Sequence, residues 1–227
     1  MEEDFHLHGK GGKDMAKPKV SIAVIRRLPK YYRYLCLIEE KGIVRISSQE
    51  LSNITGLTAS QIRQDLNHFG GFGQQGYGYN VKALKTEIEN IMGIDRDYKA
   101  ILIGVGNLGQ AIANYDAFRN IGFHIVGMFD NETKLIGKKI SGVTIMNMDE
   151  LESFMKKNEV QVAILTLPKS SAQETADRLV AAGIKGIWNF APIDLELPSW
   201  VVLENVHLDE SLFTLTYYLN HQDHYPG

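Results

Sequence analysis

The segment from Ala100 to Gly109, AILIGVGNLG, constrains the fold more than any other. Four apolar residues run into three glycines spaced Gly104-x-Gly106-x-x-Gly109, and a helix-periodic stretch follows at once. A buried strand, a tight turn and a helix give each glycine its own task. The first lets the chain turn sharply, the second lets a pyrophosphate approach the backbone, and the third lets helix and strand pack closely. The helix start then aims free N–H groups at the phosphates. Asp130 ends the next predicted strand 21 residues beyond Gly109, where an acid can hold ribose hydroxyls. Gly104, Val105, Gly106, Asn107, Leu108, Gly109 and Asp130 are therefore the candidate cofactor residues. Asp130 would repel a 2′-phosphate, and Asn131 and Glu132 offer no cation, which favours NAD(H) over NADP(H).

The chain around this loop alternates strand and helix, with strands predicted at Ala100 to Ile103, Ile125 to Phe129, Val160 to Leu167, Gly186 to Phe190 and Val201 to Val206. Helices are predicted at Leu108 to Phe118, Leu151 to Lys157 and Ala172 to Ala182, with one more at the end. Such alternation implies βαβ units and a parallel sheet covered on both faces. From about Lys99 to Val206 there is room for one compact α/β unit and none for a catalytic domain beside it. No nucleophile motif or zinc-spaced cluster is visible. Most of the histidines (His6, His8, His221, His224) lie in tails, so binding is a more economical reading than catalysis.

The N-terminal half has a different grammar. Residues 1–17 are polar and aperiodic and read as a disordered tail. A helical pattern from Val20 to Ile38 contains Pro29, which predicts two helices rather than one. Ser47-x-x-Glu50 and Thr58-x-x-Gln61 fit two capping boxes flanking Gly56, and so predict two short helices joined by a tight turn, a helix-turn-helix. Leu51 and Ile54 would be buried on the first, and Ile62, Leu66 and Phe69 on the second. Ser60, Gln61, Arg63, Gln64 and Asn67 are left largely toward solvent. GGFGQQGYGYNV then reads as a β-hairpin with Gln74, Gln75 and Gly76 at its tip, the wing of a winged helix. A helix from Val81 to about Met92 leads to a boundary near Gly93 to Tyr98.

The formal net charge of −3 conceals a division. Residues 15–90 hold 11 basic and 6 acidic side chains, whereas residues 91–227 hold 11 and 17. A basic block of domain size containing a helix-turn-helix suits the phosphates of nucleic acid. No apolar run is long enough for a membrane span, the first residues do not form a secretory signal, and Cys36 is the only cysteine and is expected in a core. The expectation is a cytoplasmic protein without a membrane partner.

Across about Ser21 to Asn220 the sequence resembles the Rex family of redox-sensing transcriptional repressors. The resemblance rests on RRLPKYYRYL, ISSQELS, TASQIRQDLNHFG, GYGYNV, ILIGVGNLGQAIANY, Phe129-Asp130, LTLP, AAGIKGIWNFAP and LTYYLN, in that order. It implies an α/β protein with a winged-helix domain at 18–94, a Rossmann NAD(H)-binding domain at 98–206 and a domain-swapped C-terminal helix at 207–221. The implied molecule is a non-enzymatic homodimer that binds double-stranded operator DNA when NADH is low and is released by NADH. Its implied targets are genes of fermentation, anaerobic respiration and NADH reoxidation. Carried over position by position, the cofactor set gains Tyr115, Pro168 and Asn189. The DNA-binding set becomes Lys30, Ser60, Gln61, Arg63, Gln64, His68, Gln74, Gln75 and Tyr77, and the switch set Arg33, His207, Leu208 and Leu212.

The terminal helix supports the swap independently: Leu208, Leu212, Leu215 and Leu219 form one stripe, and Phe213, Tyr217 and Tyr218 cover much of the rest, so burial on several sides is required. Two departures stand out. His207 occupies the position of a family aspartate able to pair with the arginine matched by Arg33, which points either to a switch through another contact such as Asp209 or to altered signalling. Gln64, Gln74 and Gln75 stand where many relatives carry cations, which predicts weaker or more sequence-dependent DNA binding. Two other readings remain open on sequence alone: a NAD- or CoA-binding Rossmann enzyme that uses its helix-turn-helix to dimerise, and a nucleotide-binding module that does not touch DNA.

Overall fold

A computed structural model describes residues 20–69, 73–74 and 77–221, the pair 73–74 by backbone only. The expected tail and Gln75 lie outside the described residues. The chain divides into two compact units between Gly93 and Ile94.

In the N-terminal unit α1 (Ile22–Glu40) buries Val24, Leu28, Tyr31, Leu35 and Ile38, a stripe spaced by fours and threes. The break expected at Pro29 does not occur. An interior proline costs about 3 kcal/mol. Leu28, Tyr31 and Leu35 on its two sides are fully buried, each contributing about 1.5 to 3 kcal/mol, so packing outweighs the missing hydrogen bond. Cys36, expected in the core, is half-buried.

β1 (Arg45–Ile46), α2 (Ser48–Thr55), α3 (Ala59–Asn67), β2 (Gly73–Gln74), β3 (Gly78–Asn80) and α4 (Val81–Met92) complete this unit. The Ser47–Glu50 capping box is present in full, and Gly56 ends α2 at a positive φ of 70°. Thr58 caps α3 but its box is only half made: the Gln61 amide turns to Asp65 instead of reaching back. Ile54 is 41% exposed, contrary to expectation, and Thr55 takes the buried place, its hydroxyl donating to the Leu51 carbonyl. β2 and β3 pair antiparallel as a wing, with β1 on the other side of β3. Glycine is required at 78, where φ is 67° and a Cβ would stand 2.6 Å from the Ile46 carbonyl oxygen.

The C-terminal unit contains β4 (Tyr98–Ile103), α5 (Asn107–Ala113), α6 (Ala117–Asn120), β5 (Phe123–Asp130), β6 (Lys139–Ile140), β7 (Val143–Asn147), α7 (Leu151–Lys157), β8 (Val162–Leu165), α8 (Lys169–Ala181), β9 (Gly186–Asn189), β10 (Val202–Asn205) and α9 (Leu208–Asn220). Its sheet runs β10-β9-β8-β4-β5-β7-β6, parallel except for the edge strand β6. Leaving β6 aside, this is the 3-2-1-4-5-6 order of dinucleotide-binding folds. Ala100 to Ile103 are wholly buried, as befits a central strand covered on both faces. The helix expected at Leu108 to Phe118 is two helices, because Asn114 donates its side-chain amide to the Gln110 carbonyl and ends the first. Among the described residues no helix is long and apolar enough to cross a membrane.

One ionic contact in the N-terminal unit was not foreseen. Asp65 is fully buried on α3, and Arg27 of α1 grips both its oxygens at 2.6 and 2.7 Å, joined by Tyr31 and Gln61. Burial alone would raise the Asp65 pKa, but the hydrogen bonds from Arg27, Tyr31 and Gln61 outweigh it and hold the carboxyl below its ordinary range. Arg27→Ala strands that carboxylate and should cost about 3 kcal/mol, the lower end for a broken buried pair because Arg27 is a quarter exposed. Since the folded pKa is lowered, the stabilisation is complete above the unfolded value near pH 4 and is lost as pH falls through the folded value. Urea unfolding of both proteins checks this; an unchanged midpoint for Arg27→Ala would refute it.

Candidate functional site

At the carboxyl ends of β4, β5 and β8, where the chain's path through the sheet reverses, lies a cleft of about 530 Å³. Open α/β sheets bind ligands at such a switch point. The three glycines of the loop have three distinct environments there. Gly104 has φ 89°, and a Cβ on it would meet the Thr166 carbonyl oxygen at 2.7 Å. Gly109 lies so close to the Gly104 carbonyl oxygen that a Cβ would stand 2.1 Å away. Gly106 alone has nothing within 4 Å of its Cβ position, and it lines the cleft. The first and third glycines are thus consumed by the protein's own packing, and the second faces space.

Asp130 stands at the cleft edge, its two oxygens accepting from the Val105 N–H at 2.6 Å and the Glu132 N–H at 2.8 Å. Each carboxylate oxygen has a second lone pair available. Thr166, which the sequence reading passed over, donates its hydroxyl to the Gly104 carbonyl and so ties the loop to the end of β8. Its signal was its place in LTLP, at the carboxyl end of a strand. Ser171 and Thr175 of α8 add hydroxyls to the same cleft, and Pro168 lies on its wall.

Other expected cofactor positions are placed elsewhere. Val105 is buried, Leu108 packs against the core, and Asn107 is exposed at the start of α5. Tyr115 is 58% exposed, set edge-on to Phe118, and lines a separate small recess. Asn189 does not line the cleft: it is fully buried, its amide donating to the carbonyl of Ile193 and to Asn205 while its oxygen accepts from the Ala191 N–H. That satisfied amide fixes the turn after β9.

In the N-terminal unit α3 presents Ser60, Arg63, Gln64 and His68 to solvent, whereas Gln61 is half-buried and engaged by Asp65. The Arg63 guanidinium donates to the Ser48 hydroxyl at 2.9 Å, which fixes its direction. Lys30 is half-buried on α1, Tyr77 is 69% exposed beside β3, and Gln74 belongs to β2. Of the expected switch residues, Arg33 lies over its neighbour Tyr34, and His207 lies 3.4 Å from Asp194. Leu208 and Leu212 are exposed on α9, a helix with no buried residue.

Gly109→Ala should therefore destabilise the C-terminal unit by several kcal/mol through a backbone clash, while Gly106→Ala leaves its melting temperature nearly unchanged. Equal melting of the two variants would show that the glycines do not differ in role.

Residues 19–67 match the family model described as "Putative DNA-binding protein N-terminus", and residues 95–193 match that of a CoA binding domain. The redox-sensing transcriptional repressor Rex of Clostridioides difficile strain 630 is 60% identical, the match spanning 89% of this chain and 97% of the relative. The Rex of Thermoanaerobacter pseudethanolicus is 57% identical over 91% of this chain and 92% of the relative. Among solved structures, RSP in complex with β-NAD+ and operator DNA superposes with a TM-score of 0.86 at 56% identity, covering 91% of this chain and 95% of that one. RSP with β-NADH gives 0.85 at 54% identity, covering 91% and 97%. With a dinucleotide-type cleft, a winged helix and full-length relatives of this similarity, the chain belongs to the Rex family of redox-sensing transcriptional repressors.

Proposed function

We propose that this chain is a repressor that reads the balance of NADH and NAD+, binding operator DNA through its N-terminal unit when NADH is low and releasing it when NADH fills the C-terminal cleft. The observation that carries the reading is the open side of Gly106 in the same cleft as Asp130: a backbone position free for a pyrophosphate, and a carboxylate whose oxygens each keep a lone pair for ribose hydroxyls. The bound dinucleotide supplies the redox information. The chain's own residues need only bind its two forms unequally. A difference of about 1 to 3 kcal/mol between DNA-bound and DNA-free protein is a 5- to 150-fold change in affinity, and by linkage DNA affects NADH equally.

Asp130 is the only carboxylate among the described residues lining the cleft, and two backbone N–H groups already engage it. This favours recognition over catalysis, in keeping with relatives that are repressors. The likeness to a CoA binding domain names a competing ligand. CoA carries a phosphate on its adenosine ribose, which the Asp130 carboxylate repels, so NAD(H) is the better fit.

The functional unit is a homodimer in the cytoplasm. Six large apolar residues of α9 (Leu208, Leu212, Phe213, Leu215, Tyr217 and Leu219) are each 52 to 64% exposed, a surface suited to a second copy of the chain. A two-fold dimer places two α3 helices on a palindromic site.

Electrophoretic shift on the operator duplex of the solved relative, with NAD+ and NADH added in turn, tests the function. Retention with NAD+ and release by NADH are expected; no shift at low salt would sink the reading. Gly106→Val should weaken NADH binding at least tenfold while the protein stays folded, leaving it on DNA at NADH levels that release the wild type. Release at the wild-type NADH concentration would mean that the ligand lies elsewhere. For the dimer, Leu212→Asp with Leu215→Asp should sediment as a monomer where the wild type is a dimer, and a monomeric wild type at micromolar concentration counts against the assembly.

A further inference from the structure

The wing sequence GFGQQGYGYN contains no lysine or arginine, so whatever holds it to a polyanion must come from a neighbouring element. β1 is that neighbour: Arg45 lies opposite Asn80 of β3 in the sheet register. Its guanidinium donates to the Tyr77 carbonyl at 3.3 Å and rests over the Tyr77 ring, 6.0 Å from the centroid. Both side chains are exposed. No described carboxylate lies within ion-pair distance of Arg45, whereas Arg27 and Arg178 are neutralised by Asp65 and Glu152.

Arg63 shows the same pattern, anchored at Ser48, three residues beyond Arg45. It is exposed, it forms no ion pair with a described residue, and its guanidinium is held by Ser48 at the start of α2. Two unneutralised arginines, one from β1 and one from α3, are thus anchored on either side of the short turn from Arg45 to Ser48. As a device for bracing the wing alone, Arg45 would be weak: one exposed hydrogen bond to a carbonyl and one exposed stacking contact are each worth about 1 kcal/mol or less. As a cation presented to phosphate it is well made. Its fork is held in orientation by Tyr77 and retains unused donors, and a guanidinium is shaped for bidentate contact with phosphate oxygens.

We infer that Arg45, oriented by Tyr77, is a phosphate-binding residue that supplies from β1 the positive charge missing from the wing. The inference rests on the proposed binding of operator DNA. Its test is the salt dependence of binding by the full-length protein to the operator duplex of the solved relative. Arg45→Ala should lower affinity roughly tenfold and reduce the log–log salt slope by about 0.9, the value for one lost phosphate contact. Arg45→Lys should keep the slope and lose part of the affinity, because charge is retained without the planar fork. Tyr77→Ala should weaken binding at an unchanged slope. Arg45→Gln, isolated alongside with its fold checked by circular dichroism, must lose the same 0.9 or so of slope as the alanine variant.

A wild-type slope in Arg45→Ala or Arg45→Gln overturns the inference even if affinity drops, since Arg45 would then only brace the wing. Failure of the wild type to bind at low salt instead overturns the DNA-binding reading itself. The two failures are therefore distinguishable.

Discussion

The contact between Gly109 and the Gly104 carbonyl is the constraint on which the C-terminal unit depends. A helix normally stands off a strand by the thickness of its side chains. At Gly109 there is no side chain, so α5 starts directly against the turn that leaves β4. Thr166 reinforces the turn from β8 by donating to the same carbonyl. Asp130 does so from β5 by accepting from the Val105 N–H. Three strands thus fix one loop, and what they leave uncovered is the face of Gly106. The preorganisation a pyrophosphate requires is already present in the protein's own hydrogen bonds, so little ordering cost remains for the ligand.

The N-terminal unit has a comparable fixed point in Asp65. A carboxylate without solvent exposure is tolerable only when each of its oxygens is partnered, and Arg27, Tyr31 and Gln61 meet that demand. An apolar residue at the same place would pack α3 against α1 without specifying their angle. A bidentate arginine specifies both separation and direction. For a helix whose outer face bears Arg63 and Gln64, direction decides what those side chains can reach. Gln61 shows the consequence, since the demand of Asp65 draws its amide away from both the capping box and solvent.

Local features proved legible where local physics decides them. The Ser47–Glu50 box, the glycine loop and the span of α4 follow from interactions within a few residues. Pro29 was misread because its local cost is outweighed by side chains whose burial depends on helices far along the chain. Asp65 sits between Ile62 and Leu66 on a helix that otherwise reads as amphipathic, and its partner is 38 residues away. The β6–β7 hairpin did carry a signal, a Ser-Gly pair, and Ser141 and Gly142 do adopt positive φ values of 47° and 85°. Two-residue strands are too short for alternation to show. Asn189 enters the cofactor set only through the resemblance, and its burial and its bonds to Ala191, Ile193 and Asn205 depend on packing that no local pattern shows.

The exposed apolar residues of α9 link the fold to assembly through magnitude. A helix of 13 residues is marginal by itself in water. Fully covering a large apolar side chain contributes about 1.5 to 3 kcal/mol; the six residues of α9 are 52 to 64% exposed, so one helix offers about 5 to 10 kcal/mol and a symmetric pair about 10 to 20. Association costs about 4 to 15 kcal/mol in lost freedom. The two ranges overlap, so the proposed pairing requires most of this surface to be covered. The apolar residues occupy more than one side of the helix, so a single flat surface cannot cover them, and the proposed dimer requires a partner that encloses α9. In the proposed dimer such a helix would share the other subunit's packing, which offers a route by which a ligand that shifts one copy biases the other.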